Sequence, residues 1–128
     1  MKMFRLAPLA AIAVVLPVVS AAVLQYSEAK VVDVFGTIES VRELANGASL
    51  PGIHLAVKKD KHSVVDVYLG PTDFVTGFSL RFRAGDTVEA VGSKVKVEGA
   101  DVILARQIRK NDSTVYLRDD HGNPLWIR

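Results

Sequence analysis

The stretch VDVFGTIE, residues 32–39, decides the fold class of this chain. Its apolar Val32, Val34 and Ile38 alternate with residues of the opposite face, and this period of two is typical of a β-strand with one face directed inward. Gly36 occupies the remaining position of the inward face and predicts a bulge or a sharp bend there. We therefore expect the folded part of the chain to begin with a bent β-strand.

The same alternation continues in further short runs toward the C-terminus. Turn residues such as Asn46-Gly47 and Gly70-Pro71 separate these runs. Between the third and fourth runs, Pro71 to Phe82 has apolar side chains at spacings near three and four, which predicts one short helix. The predicted strands after the first cover residues 53–58, 65–69, 87–97, 102–108 and 114–118.

Five or six short strands, with one helical element between the third and the fourth, are typical of an oligonucleotide/oligosaccharide-binding (OB) barrel. We therefore predict an all-β fold, a small OB-like barrel of five to six strands with one short helical element. Another small β-barrel and a β-sandwich are the alternatives, although a sandwich usually has about seven strands. A domain at residues 31–128 has the length of a single domain.

The N-terminal segment has the pattern of an export signal. Lys2 and Arg5 are its only charged side chains, and residues 6–24 contain none. Small side chains precede a possible cut after Ala21 or Ala22, as in secreted bacterial proteins. The predicted divisions are a signal peptide at 1–22, a linker at 23–30 and the barrel domain at 31–128.

The same segment, if it is not cleaved, is just long enough to anchor the protein in a membrane. Both alternatives place the barrel outside the cytoplasm, and we expect it in the periplasm. The chain has no cysteine, which excludes disulfides, thiolate metal sites and a lipid-attachment cysteine. Its formal net charge of +2 comes from the N-terminal segment, because residues 30–128 carry 14 Lys and Arg against 13 Asp and Glu. A nearly neutral domain argues against strong binding to nucleic acid.

Four segments resemble a group of small exported bacterial OB-fold proteins. They are FGTIESV at 35–41, DVYLGP at 66–71, GDTVEAVGS at 85–93 and VYLRDDHGNPLW at 115–126. The resemblance implies the same barrel fold over most of residues 31–126. It implies no particular activity, because OB folds host many unrelated functions.

Two groups of residues invite a metal hypothesis. His54, His62 and His121 lack the close spacing that places two imidazoles on one metal, so we expect two turn histidines and, at His54, a strand histidine facing solvent. The sequence at 119–123 resembles a calcium loop only in composition, and an ordinary β-turn explains it. We therefore predict no metal site and no cofactor.

A group of cations, here called the basic cluster, is the clearest candidate for ligand binding. A barrel groove that binds a polyanion needs cations with interleaved aromatic side chains, whereas a solvated strand face explains the same pattern without any ligand. The predicted ligand-binding residues are Arg81, Arg83, Arg106, Arg109 and Tyr68. The basic cluster comprises Arg81, Arg83, Lys94, Lys96, Arg106, Arg109 and Lys110.

No nucleophile motif or phosphate-cradling loop occurs, so we do not expect an enzyme. We predict a non-catalytic exported binding or accessory module that contacts a protein or a small ligand through one barrel face. A nucleic-acid or polyanion binder that uses the basic cluster is one alternative. A metal-binding accessory protein that uses the histidines is another. Membrane contact is expected only through an uncleaved N-terminal segment.

Overall fold

A computed structural model describes residues 26–127. The predicted signal peptide and the first residues of the predicted linker lie outside this range. Within it, no helix has the length and apolar character needed to cross a membrane. The chain forms a 3₁₀ turn at Glu28–Lys30, then β1 (Val31–Leu44), β2 (Gly52–Asp60), β3 (Ser63–Gly70), α1 (Thr72–Thr76), β4 (Thr87–Val97), β5 (Ala100–Lys110) and β6 (Ser113–Tyr116).

The six strands form one sheet that closes on itself. The strand order is β3-β2-β1-β4-β5-β6, and all neighbours in it are antiparallel. A parallel pairing of Asp66–Tyr68 in β3 with Val102–Leu104 in β5 closes the ring. The short α1 lies between β3 and β4, where the sequence predicts it. The prediction of a small all-β barrel with one short helical element is confirmed.

β1 is longer than its sequence pattern predicts, and its irregularity lies elsewhere. The pairing of β1 with β2 shifts register between Ile38 and Ser40, whereas Gly36 pairs regularly with Val88. Of the two irregularities predicted at Gly36, the bulge is therefore wrong, and the sharp bend stays a prediction. Gly36 instead allows a close approach of β2, because a Cβ atom there would collide with the carbonyl oxygen of Lys58. β1 is long enough to pair with two neighbours. Its residues 31–37 pair with β4, and its residues 37–44 pair with β2.

The inward faces of the strands form the main core. Alternating residues of β1, β2, β3 and β4 point into the barrel, as the period-two pattern predicts. Val75 of α1 is buried against the same cluster. Besides Val75, the buried core consists of Val34, Ile38, Leu55, Val57, Val67, Leu69, Val88, Ala90, Ile103, Ala105, Ile108, Val115 and Leu117.

A second apolar cluster contains Tyr68, which alternates with Val67 and Leu69 of the main core and therefore points to the other face of β3. Tyr68 is buried because the loop 45–51 and the C-terminal segment 117–127 supply side chains that cover it. The buried members are Leu50, Tyr68, Val102 and Leu104, and the half-buried members are Tyr26, Val95, Val97 and Trp126.

The C-terminal segment 117–127 is held on the barrel by backbone hydrogen bonds. β5 has a register shift opposite Val91 and Gly92, where Arg106 is the extra residue. The carbonyl oxygen of Arg106 accepts hydrogen bonds from the N–H groups of Leu117 (2.8 Å) and Arg118 (3.1 Å). The segment then turns back, so that the N–H of Leu125 donates to the carbonyl of Leu117 at 3.0 Å. The β-bulge at Arg106 thereby fixes the backbone position of Arg118.

Candidate functional site

A large cleft lies at one end of the barrel. It is bounded by the loop 45–51, the start of α1 and the C-terminal segment 117–127, and its volume is about 830 Å³. That volume falls in the range of pockets that hold small organic ligands. Its lining includes the buried Leu50, Tyr68 and Arg118, the half-buried Trp126, and the exposed Glu43 and Asp73.

Arg118 is the unusual residue of this cleft. Only 7% of it is exposed, and its guanidinium carbon lies 5.1 Å from the centroid of the Trp126 ring. Its Nη1 donates a hydrogen bond to the carbonyl oxygen of Gly122 at 2.9 Å. Among residues 26–127 it forms no ion pair, and burial lowers its pKa from the ordinary value. The cleft therefore contains a buried cation that has no carboxylate partner within the described part of the chain.

The turn at 119–123 helps to position the Arg118 side chain, because it supplies the carbonyl of Gly122. Oδ1 of Asp119 accepts hydrogen bonds from the N–H groups of His121 and Asn123, each at 2.9 Å. The side-chain amide of Asn123 donates to Oδ2 of Asp119, also at 2.9 Å, and these bonds lower the pKa of that carboxyl group. The turn brings the carbonyl of Gly122 to the guanidinium of Arg118. Its aspartate oxygens are thus used in a tight turn, as the β-turn interpretation of this segment predicts.

Aromatic side chains form one wall of the cleft. The Tyr68 hydroxyl donates a hydrogen bond to the carbonyl oxygen of Pro51 at 2.7 Å. Burial raises the pKa of the Tyr68 hydroxyl. The Tyr68 ring meets the Trp126 ring edge to face, with centroids 6.4 Å apart. Trp126 packs directly over Gly70, where φ is 140° and a Cβ atom would lie 2.9 Å from the indole Cζ3. A larger residue at Gly70 would displace the indole, so this glycine keeps Trp126 in place.

Two carboxylates lie at the rim. Glu43 is the second-to-last residue of β1, and Asp73 lies in the first turn of α1. Oε2 of Glu43 accepts a hydrogen bond from the hydroxyl of Thr72 at 3.0 Å. Both carboxylates are exposed, and the ion pairs found within residues 26–127 include neither of them. The cleft therefore has a positive floor and a negative rim.

The structure does not bring the predicted ligand-binding residues to one place. Tyr68 lines the cleft, and Arg106 lies at the β5 bulge. Arg109 pairs with Glu89 on the outer face of β4 and β5, which lowers the pKa of that carboxyl group. Arg81 donates to the carbonyl of Phe78, and Arg83 is exposed. A ligand-binding role for these arginines stays a prediction.

Carboxylates neutralise most of the remaining basic cluster. The amine of Lys110 lies 2.9 Å from Asp86, and those of Lys94 and Lys96 lie 3.7 Å and 3.0 Å from Asp101. The hydrogen bonds from Lys110 and Lys96 lower the pKa values of Asp86 and Asp101, respectively. Paired cations attract a polyanion less than free ones, because the partner carboxylate repels it.

The three histidines lie in different surroundings. The expectation that His54 faces solvent is wrong, because only 2% of it is exposed. Its Nδ1 lies 2.9 Å from Oδ1 of Asp66, and its Nε2 donates to the carbonyl of Leu50 at 2.8 Å, so the loop 45–51 covers it. His62 is exposed in the turn after β2, and His121 lies 3.2 Å from Glu28. Among residues 26–127, no three His, Asp or Glu side chains are grouped to hold a metal ion.

The sequence-based prediction included Tyr68, which lines the cleft, but not Arg118 or the two rim carboxylates. Arg118 is the one Lys or Arg between Lys110 and the C-terminal residue, and two aspartates follow it. That pattern also fits a surface ion pair, so the sequence gives no sign that Arg118 is buried. Its burial follows from the way segment 117–127 folds over the barrel.

Comparison with known proteins gives a family for the chain. A search of curated proteins finds no significant match. The model of the MamS/MamX magnetosome protein family matches residues 30–115, about two thirds of the chain. The matched range includes Glu43, Tyr68 and Asp73 of the cleft and ends before Arg118. This is a small bacterial family, in agreement with the bacterial resemblance of the sequence, and its name says nothing of an OB fold. The chain belongs to the MamS/MamX magnetosome protein family.

Proposed function

We propose that this protein is a non-catalytic, exported binding or accessory module of OB type, and that its ligand or partner binds in the cleft at the end of the barrel. One observation carries the proposal: the buried Arg118 lines the cleft without a carboxylate partner among residues 26–127. Export is supported by the signal-like segment at 1–22, and the periplasm is the proposed location. Membership in the family supports an accessory role at a magnetosome.

The cost of burying a charge explains why Arg118 supports a binding site. A guanidinium is rarely buried unless it is paired, because it loses its hydration. The carbonyl of Gly122 and the Trp126 ring compensate for part of that loss. An anionic group that enters the cleft would complete the compensation with charge-assisted hydrogen bonds.

The lining of the cleft supports binding over catalysis. The described residues that line it include no histidine, and the chain has no cysteine. The hydroxyl of Tyr68 is committed to the carbonyl of Pro51. Covalent catalysis usually requires a nucleophile that is activated by a neighbouring base. The hydroxyl of Thr72 does donate to a carboxylate of the lining, that of Glu43, but this carboxylate is exposed at the rim and we assign the contact a structural role.

The experiment is native mass spectrometry of the protein purified from its own bacterium. A small molecule or partner protein should co-purify with the wild type and with the control Lys61→Gln, whose exposed side chain is not part of the cleft lining. The Arg118→Gln variant should no longer co-purify with this bound species. Ala45→Phe should also lose it, because Ala45 is exposed at the cleft and the larger side chain narrows the opening without disturbing the core.

Two outcomes contradict the proposal. One is a bound species that survives both cleft substitutions, and the other is a wild-type protein that carries nothing. Circular dichroism of each variant verifies that the barrel is folded before the comparison is made.

A further inference from the structure

The cleft carries opposite charges at two depths, and this arrangement restricts the chemistry of its ligand. Arg118 is buried at the floor, whereas Glu43 and Asp73 are exposed at the rim. None of the three forms an ion pair with another residue of the described range. Ligand charges of both signs therefore have a complementary group in the same cleft.

The floor suits a carboxylate. A guanidinium presents its N–H donors as a planar fork that matches the two oxygens of a carboxylate. The Trp126 ring beside Arg118 and the hydrogen bond to Gly122 limit the orientations of that fork. The fork is thus oriented before the ligand arrives, which reduces the entropy lost on binding.

The rim selects against ligands that are purely anionic. Glu43 and Asp73 repel a phosphate or any other multiply charged anion that passes them. The same two carboxylates attract an ammonium group. A ligand with a carboxylate at one end and an ammonium at the other meets favourable charges at both depths.

The walls and the size of the cleft indicate the rest of the ligand. Leu50, Pro51 and Trp126 supply apolar surface between the floor and the rim. The volume of about 830 Å³ exceeds the needs of a single amino acid and suits a ligand of several residues. An apolar side chain on such a ligand would pack against these walls.

We propose that the cleft binds a small zwitterion, a short peptide with free termini, whose carboxylate pairs with Arg118 and whose ammonium faces Glu43 and Asp73. The proposal rests on the proposed function, since it names the ligand class of the same cleft. It differs from that function in requiring both charges on one small molecule.

The experiment uses the fluorescence of Trp126, the single tryptophan of the chain. The titrants are the tripeptide glycylglycylleucine, its N-acetylated form, its C-terminal amide, and inorganic phosphate. The free tripeptide should change the fluorescence and bind at least about tenfold more tightly than either capped form, because each cap removes one charge-assisted contact. Phosphate should give no change.

Matched variants assign the two charges to their residues. Arg118→Gln should remove the preference for the free carboxylate. The double variant Glu43→Gln/Asp73→Asn should remove the preference for the free ammonium and leave the barrel intact, because both side chains are exposed. Lys61→Gln, which removes an exposed cation outside the cleft lining, should bind like the wild type.

Two results would overturn the proposal. If the N-acetylated tripeptide binds as tightly as the free one, the ligand is a simple anion. If no peptide changes the fluorescence of Trp126, short peptides are not the ligand class. The native mass spectrometry of the wild type and the cleft variants tests the binding function separately, so a failure here leaves that result standing.

Discussion

At the scale of single residues, the chain places polar groups where the alternation of a strand does not predict them. His54, Tyr68 and Arg118 are each less than 10% exposed. Each compensates for burial with a hydrogen bond to a backbone carbonyl, of Leu50, Pro51 and Gly122 respectively. These carbonyls belong to a loop and a turn, so irregular backbone satisfies the buried side chains.

The pair of His121 and Glu28 gives a prediction at this scale. The Glu28 carboxylate, 3.2 Å from Nδ1, raises the pKa of His121 above its ordinary value. Glu28→Gln should lower that pKa, and Glu39→Gln, which removes a carboxylate paired with Lys58, should not. Nuclear magnetic resonance of the imidazole protons against pH measures both midpoints.

The sign of the pH dependence follows from the same pair. A raised pKa in the folded state means that the contact stabilises the fold below the ordinary histidine pKa of about 6.5, and that this contribution is lost as the pH rises through the folded value. The wild type should therefore lose a small part of its stability over that range. An equal pH dependence in Glu28→Gln would argue against the contact between the 3₁₀ turn and the turn at 119–123.

At the scale of elements, the approach of β2 to β1 depends on one glycine. Gly36 lies in the part of β1 that pairs with β4. The backbone carbonyl of Lys58 in β2 occupies the space that a Cβ atom at Gly36 would need. The sequence indicates that this position is special, because a glycine interrupts an apolar face. It does not distinguish a bulge from a close approach, since both need a missing side chain.

Gly36→Ala should destabilise the barrel by about 2 kcal/mol or more, because the new methyl group collides with a strand backbone that cannot easily move. The matched control is Gly47→Ala in the loop 45–51, where no atom lies within 4 Å of the new Cβ. That change should stay within about 0.5 kcal/mol. Chemical denaturation of the two variants measures the difference, and equal midpoints would show that β1 and β2 are farther apart than described.

At the scale of the whole molecule, ion pairs divide much of the charge into small groups, in which each carboxylate offsets one or two cations. Residues 30–128 are close to neutral, and the basic cluster is interleaved with Asp86, Glu89 and Asp101, each within a pair described above. Affinity for nucleic acid would need many unpaired cations, because it comes from the release of counterions around the phosphates.

We therefore expect single-stranded DNA to bind no more tightly than about 10⁻⁶ M at physiological salt, with affinity falling further as salt is added. Fluorescence anisotropy of a labelled oligonucleotide over a salt series measures this. Nanomolar binding that is lost when Arg81, Arg83 and Arg106 are changed to alanine would favour the polyanion alternative over the cleft.

The sequence by itself determined the β-strands, their inward faces and the position of the helix. It could do so because alternation, turn residues and helical spacing are local, and each is set by neighbours within a few positions. The predicted inward faces of Val34 and Ile38 are correct for this reason. The MamS/MamX family match extends over the same strands.

Only the tertiary structure decided the cleft. Its floor, wall and rim come from Arg118, Tyr68 and Glu43, which lie far apart in the sequence and meet through the closure of the ring. Tyr68, on the outer face of β3, is buried because the loop 45–51 and the C-terminal segment 117–127 cover it. No local pattern shows which outward residues another part of the chain will cover, because that depends on contacts between distant segments.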